Sequence, residues 1–422
     1  MRKATVGLLL AALIVSCSSD PNERANQVFV EAQQMIERAE KQAPDDRLRM
    51  LEAAEQKLKA IISGYPTSNL AVQLASGQSV GTVSLKGVSA SIRDARWTLC
   101  LRTPTRACVL AEALEQVPSI KDGFARASAL QAIAEVQAKA GMTKEAAATR
   151  AQTLQLALSF KNDYLRAQAL GFIAQMQAKA GRIADAIGLA QSIEDQAIRM
   201  GALANIAVAQ AEAGSIPEAI QLAQSVDEAN RAFALAGIAA AQAKAGMAKE
   251  AAATLEQAAR LALAEDEGIR ASILVIIAKA QAKAGMAKEA AATLEQAAQL
   301  AQSIKGDLLR DPALADVSEG QAEAGHIPEA IRLAQSINDG FTRELALASI
   351  AKVQAKAGRI AEARQLAQSI KSEGTRALAL SNIAVAQAEA GRIAEAIRLA
   401  QSIKDEFPRA LALAGIGGAL PN

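Results

Sequence analysis

Apolar residues recur along this chain at spacings of three and four, and glycines interrupt them at regular distances. From about residue 123 a phrase like Ala-Gln-Ala-Lys-Ala-Gly returns, ending at Gly141, Gly181, Gly214, Gly246, Gly285, Gly325, Gly358 and Gly391, at intervals of 32–33 or 39–40 residues. Eleven residues before each glycine stands Leu, from Leu130 to Leu380. Eight before stands Ile or Val, and seven before stands Ala, or Ser318 once. Offsets of i, i+3 and i+4 describe one face of a helix. The glycine reads as a helix stop, because it accepts the left-handed conformation that ends many helices. Four residues after it comes Glu or Asp, suited to the positive end of a second helix. Pro217 and Pro328 lie early in that second helix, where a missing N–H costs little. Each period therefore predicts a helix–turn–helix hairpin, and Ala243–Ala259 returns unchanged at Ala282–Ala298. Periods of this length point to a solenoid. The 39–40-residue periods predict second helices longer by about two turns.

The Leu, the small residue and the Gly resemble the tetratricopeptide repeat, as does the Ala found five residues after every Gly, from Ala146 to Ala396. The resemblance covers roughly residues 90–420 and implies an all-α, right-handed solenoid of stacked hairpins. The sequence departs from that family in three ways. Leu replaces its bulky aromatic near the start, Gln replaces its Tyr, and its closing Pro is missing. Ordering a 33-residue unit costs on the order of 1–2 kcal/mol per residue in backbone entropy. One Leu, two Ile and some Ala return only a few kcal/mol of burial. Contacts between neighbours must supply the rest, so the array should fold as one cooperative rod or superhelix. Phe407–Leu420 looks like a ninth first helix serving as a terminal cap.

Upstream, Asn26–Glu40 and Asp46–Ser63 predict an earlier hairpin. Ser76–Ser89 breaks the helical pattern with Gly77, Gly81 and Gly87, and predicts a loop or a short β-hairpin. The expected organisation is a signal peptide at 1–16, an acylated Cys and tether at 17–22, and helical hairpins with a non-helical insertion (76–89) over 23–122. Eight tetratricopeptide-like hairpins and a cap helix would follow over 123–422.

The first residues carry an address. Arg2 and Lys3 precede an apolar run, Val6–Val15, too short to span a bilayer. Ile14-Val15-Ser16-Cys17 resembles the lipobox of bacterial lipoproteins. That resemblance implies cleavage before Cys17, acylation of its thiol and amine, and membrane attachment through the lipid alone. Ser18 in place of Asp favours, by the same resemblance, the periplasmic face of the outer membrane. Losing Arg2 and Lys3 from 46 basic and 44 acidic residues leaves a formally neutral protein. A neutral chain without a basic block has little hold on nucleic acid. Cys100 and Cys108 flank a turn signal between two helical patterns. Their spacing resembles the cysteine pairs of Sel1-like periplasmic repeat proteins, which implies a disulfide. Two free thiols are the alternative.

Two polar ladders follow the repeat. An Arg stands fifteen residues before every Gly, with an acid three or four residues earlier; Arg409 and Asp405 continue both rows. They read as ion pairs at helix starts or as a row of guanidiniums for an anionic ligand. Gln137, Gln177, Gln210, Gln242, Gln281, Gln321, Gln354 and Gln387 stand four before each Gly. They read either as buried amides bonded to the adjoining hairpin or as the polar lining of a concave groove. With 102 alanines, 2% aromatics and one His, the chain offers no Ser/His/Asp set, phosphate loop or metal-ligand spacing. No catalytic residue, cofactor, metal or small-molecule substrate is expected. The expected role is an envelope scaffold that binds other proteins. A structural spacer or self-associating element is the alternative, and an accessory subunit of an export or cell-wall enzyme complex is a third.

Overall fold

The computed structural model describes residues 20–421, so the signal peptide and Cys17 lie outside the described residues. The described residues form an all-α, tetratricopeptide-like array with no strand, only an isolated bridge between Val80 and Val83. They divide into two compact units, with the boundary between Cys108 and Val109. The expected boundary at 122/123 is thus displaced to the N-terminal side, because the helix before Gly123 belongs mostly to the array.

In the first unit, α1 (Pro21–Ala39) and α2 (Pro44–Gly64) form a hairpin. Each opens with Pro, which needs no hydrogen-bond partner at a helix start. Phe29, Leu51, Leu58 and Ile61 close on Val88 and Ile92 of α4 (Leu85–Arg102). The short α3 (Asn69–Ala75) is capped by Ser68, whose hydroxyl accepts from the Ala71 N–H at 3.2 Å. The non-helical insertion is shorter than expected. Helix resumes at Leu85, because Ser84 caps α4 by accepting from the Gly87 N–H. Cys100 near the end of α4 and Cys108 in α5 (Arg106–Gln116) are joined by a disulfide, Cα–Cα 5.8 Å.

The second unit holds the repeats. The first helices of the hairpins are α6 (Gly123–Lys139), α8 (Asp163–Lys179), α10 (Gln196–Glu212), α12 (Glu228–Lys244), α14 (Glu267–Lys283), α16 (Asp307–Glu323), α18 (Gly340–Lys356) and α20 (Glu373–Glu389), each of 17 residues. Their partners are α7 (Thr143–Leu158), α9 (Ile183–Gln191), α11 (Ile216–Gln224), α13 (Ala248–Ala262), α15 (Ala287–Ser303), α17 (Ile327–Gln335), α19 (Ile360–Ser369) and α21 (Ile393–Ser402). A last helix, α22 (Glu406–Ala419), has no second helix after it. The long partners α7, α13 and α15, at 15–17 residues against 9–10 elsewhere, account for the longer periods.

Every repeat glycine has a positive φ, between 74° and 95°. In α6 the Gly141 N–H donates to Ala138 and the Met142 N–H to Gln137, a Schellman stop that recurs in each copy. The Leu, Ile and Ala face is buried apart from the half-buried Leu380, and the Ala five residues past each Gly is at most 5% exposed. Its small side chain lets the second helix lie close against the first.

Successive first helices pack side by side, while second helices pack chiefly on first helices. The first helices therefore form an inner layer and the second helices an outer one. The terminal helix departs from expectation. It is not an end cap, because α22 packs on α20 on one side and on α6 on the other. Nine first helices thus close into a ring. The 3-10 turn Val117–Ser119 also packs on α22, and Arg409 donates to the Gln116 side chain at 2.8 Å. Chain in front of α6 thus meets the last helix at the closure. Ser119-Ile120-Lys121-Asp122 and Ser402-Ile403-Lys404-Asp405 lead into these adjoining helices with the same four residues. At helix spacings of 8–10 Å, nine helices leave an opening of roughly 15 Å.

Candidate functional site

The Arg and acid ladders turn out to serve the helix ends. The side chains of Asp122, Asp195, Asp227, Asp266 and Asp339 each accept from the backbone N–H three residues on, and Asn162 and Ser372 do the same. They are N-caps, each worth about 1 kcal/mol. Four residues after the cap, the Arg turns back. Arg126 donates to the Ile120 carbonyl at 2.6 Å, Arg199 to Ile193 at 2.6 Å, and Arg343 to Ile337 at 2.8 Å. Arg376 and Arg409 repeat the bond to Ile370 and Ile403. These guanidiniums hold carbonyls left open just past the second helix before them. Among the described residues, ladder arginines form ion pairs only at Arg166–Asp163 and at Arg310, with Asp307 and Asp311. The expectation of an ion pair in every unit is corrected: in α6, α10, α12, α14 and α18 the acid and the Arg bind different backbone ends.

The glutamines do not line a groove. Gln137, Gln177, Gln242, Gln354 and Gln387 are buried, and Gln210, Gln281 and Gln321 are half-buried. Each lies seven residues after the Leu and follows the apolar stripe into the space between layers. Only Gln137 places its amide oxygen against a donor, the Thr149 hydroxyl at 2.9 Å. The other seven amide oxygens are buried without a protein partner. The expected bonds from these oxygens to the adjoining hairpin are therefore also absent. Burial of these oxygens places the row in the packing between the layers, away from a surface open to a partner.

What faces the opening is another set of positions, thirteen, nine and six residues before the repeat glycine. They remain at least partly exposed in every first helix, and they vary where the buried positions do not. Thirteen before stand Gln168, Gly201, Phe233, Pro312 and Leu345; nine before stand Phe172, Asn205, Gly237, Ile276 and Asp316. Neighbours match across the seams. Gln175 donates to Asn205 at 3.0 Å, Ser272 to Asp316 at 2.6 Å, and Lys279 pairs with Glu323 at 3.2 Å. Val208 fills the space left by Gly237, where a Cβ would come within 2.5 Å of it. The missed signal was in the sequence: these offsets share one face with one another and repeat in position but not in residue.

A recess on this face lies among α12, α14 and α16, a cleft of about 570 Å³. Phe233, Ile276 and Pro312 line it, with Asp266, Asp316, Glu319 and Lys279. Among the described residues no cluster of three or more His, Cys, Asp or Glu side chains is placed to hold a metal ion. No described helix is long and apolar enough to cross a membrane.

No protein-family model matches the chain, and no curated protein does. Among solved structures, the chain is similar to Ton1535 from Thermococcus onnurineus at 19% identity, over 73% of this chain and 95% of that one, with a TM-score of 0.26. It is similar to a putative kinesin light chain from Podosopora anserina with nearly identical TPR-like repeats, at 19% identity over 47% of this chain and 100% of that one, TM-score 0.27. It is also similar to a circular tandem repeat protein, at 14% identity over 92% and 88%, TM-score 0.17. Superposition at these scores carries no argument about geometry or function. The tetratricopeptide-like description rests on the hairpins themselves.

Proposed function

We propose that this protein is a lipid-anchored scaffold of the bacterial envelope that binds other proteins through the inner face of its ring. It carries no chemistry of its own. The observation that supports this is the distribution of variation between copies. The interlayer residues barely change from unit to unit, while the inner-face residues differ in size, polarity and charge. Uniform packing with one varied face is what a recognition surface on a repeat scaffold requires. The anchor rests on the Ile14–Cys17 resemblance, and placement at the outer membrane on Ser18.

The same inner positions also pair neighbouring helices, as Val208 and Gly237 do. That favours a second reading, in which the ring is a spacer and its variation only fixes the order of units. Affinity capture from gently solubilised envelopes of the native host separates the two. The scaffold reading expects specific proteins retained by the wild type and lost from a form with several inner-face substitutions. Recovery of only the protein itself would favour the spacer. In the same preparation, Cys17→Ala should move from the membrane to the soluble fraction. Continued membrane association would sink the lipid anchor and leave the ring reading untouched.

A further inference from the structure

The cleft among α12, α14 and α16 differs from the rest of the inner face in two respects. First, its mouth is apolar and open. Leu308 is 87% exposed, Leu309 53% and Ile269 39%. Exposed aliphatic side chains gathered in one place mark interaction sites more often than scattered ones do. The row continues beyond the cleft to Phe341, 64% exposed, which occupies in α18 the position Leu308 holds in α16. Three successive helix starts span roughly 20 Å at ordinary helix spacings. That is the length of about six extended residues, longer than a compact small molecule.

Second, the cleft carries an unmatched negative charge. Asp266, Asp316 and Glu319 line it. Asp266 caps α14 and Asp316 accepts from the Ser272 hydroxyl, so both are committed only to neutral donors. Glu319 faces the cleft with no ion pair. The single lining cation, Lys279, is already paired with Glu323 at 3.2 Å.

We infer that this cleft receives an extended apolar segment of a partner protein that carries Lys or Arg beside its aliphatic or aromatic side chains. The apolar mouth supplies adhesion, and the three carboxylates select for the basic residue. This rests on the protein-binding reading above and adds the place and the partner's chemistry.

The test uses the protein without its signal peptide and two labelled synthetic octapeptides. One alternates Leu and Phe with Lys; the other has Glu in place of Lys. Fluorescence anisotropy should show the Lys peptide binding at least tenfold more tightly. Leu308→Ser with Leu309→Ser should weaken it at least tenfold. Glu319→Gln should weaken it about threefold and flatten its salt dependence, as loss of a screened charge does. Leu165→Ser, in an exposed apolar position elsewhere on the ring, should leave binding unchanged. Equal binding of the two peptides, no binding of either, or an equal loss with Leu165→Ser would overturn the inference. Host proteins captured as well by the Leu308/Leu309 variant as by the wild type would also overturn it, while leaving the scaffold function standing.

Discussion

Two seams of the ring show what sets its closeness. At the α22/α6 seam the two ends of the array meet with no covalent link between them, yet the helices pack along their length. At the α6/α8 seam the helices are joined through α7, and the contact is sparser. The difference lies in residue size. Gly418 faces Val136, so the backbones can approach. Across the other seam Phe124 meets Phe172, ring centres 6.3 Å apart, and Phe160 crowds Gly123. Phe160 stands where most other units have Ile or Val. Continuity of the chain orders the units, while side-chain volume at the inner face spaces them.

That comparison can be broken most forcefully by removing residues 406–422. The loss bares faces that α20 and α6 bury, and removes Leu413, Ile416 and Leu420, which are at most 6% exposed. Each such side chain is worth about 1.5–3 kcal/mol, so urea unfolding should show a loss on the order of 5 kcal/mol. An unchanged midpoint would mean that the ring gains nothing from closing.

A smaller effect tests whether the last chain-linked seam, between α20 and α22, behaves as a seam in the middle of the array does. A methyl at Gly415 would overlap Val385 just as one at Gly237 would overlap Val208. Gly415→Ala and Gly237→Ala should each cost about 1–3 kcal/mol by overpacking, and Val385→Ala should rescue the first. Failure of the rescue would place the cost elsewhere. Phe172→Ala sharpens the other side of the comparison. Its half-buried ring holds the wide seam, so its loss should cost only about 1–2 kcal/mol, below the usual 3–5 for a core Phe. A calorimetric loss at the core value would show the seam to be tightly packed.

The weakest effect is electrostatic and should be indifferent to both seams. Thr342 donates to Asp339 through its backbone N–H and its hydroxyl, each at 2.7 Å, and this holds the carboxyl below its ordinary range. A lowered folded pKa gives stability that is full above the unfolded value and is lost as pH falls through the folded one. Asp339→Asn caps almost as well but does not titrate. Its melting temperature should therefore fall less steeply below the normal aspartate pKa, and an unaltered acid slope would refute the cap's contribution.

Much of this architecture was legible from spacing alone. The Leu, Ile and Ala offsets gave the buried face, and the glycines gave the turns, because both depend on local geometry that each copy states again. Closure was not legible in that way. It depends on a small rotation between units, summed around nine of them, and no single unit displays it. Its trace is nevertheless present in the shared Ser-Ile-Lys-Asp of Ser119–Asp122 and Ser402–Asp405, and in Arg409, which continues the Arg ladder into α22. The glutamines were legible only in part. Their i+7 offset gives the buried stripe, but their polarity leaves open both a bond to the adjoining hairpin and a groove lining, and only Gln137 makes such a bond through its oxygen. The cleft is made of residues that do not repeat, so the repeat pattern carries no sign of it.

Closure also alters how such a gene can change. An open solenoid tolerates gain or loss of a whole unit at little cost, since only its length alters. In a ring of nine, each unit turns the path by about 40°, and a tenth would require every seam to relax at once. The duplicated stretch Ala243–Ala259 and Ala282–Ala298 shows how alike two units of this array can be. Unit number is therefore a quantised property here: intermediate counts leave a gap or an overlap, and variation is channelled instead into single residues along the opening.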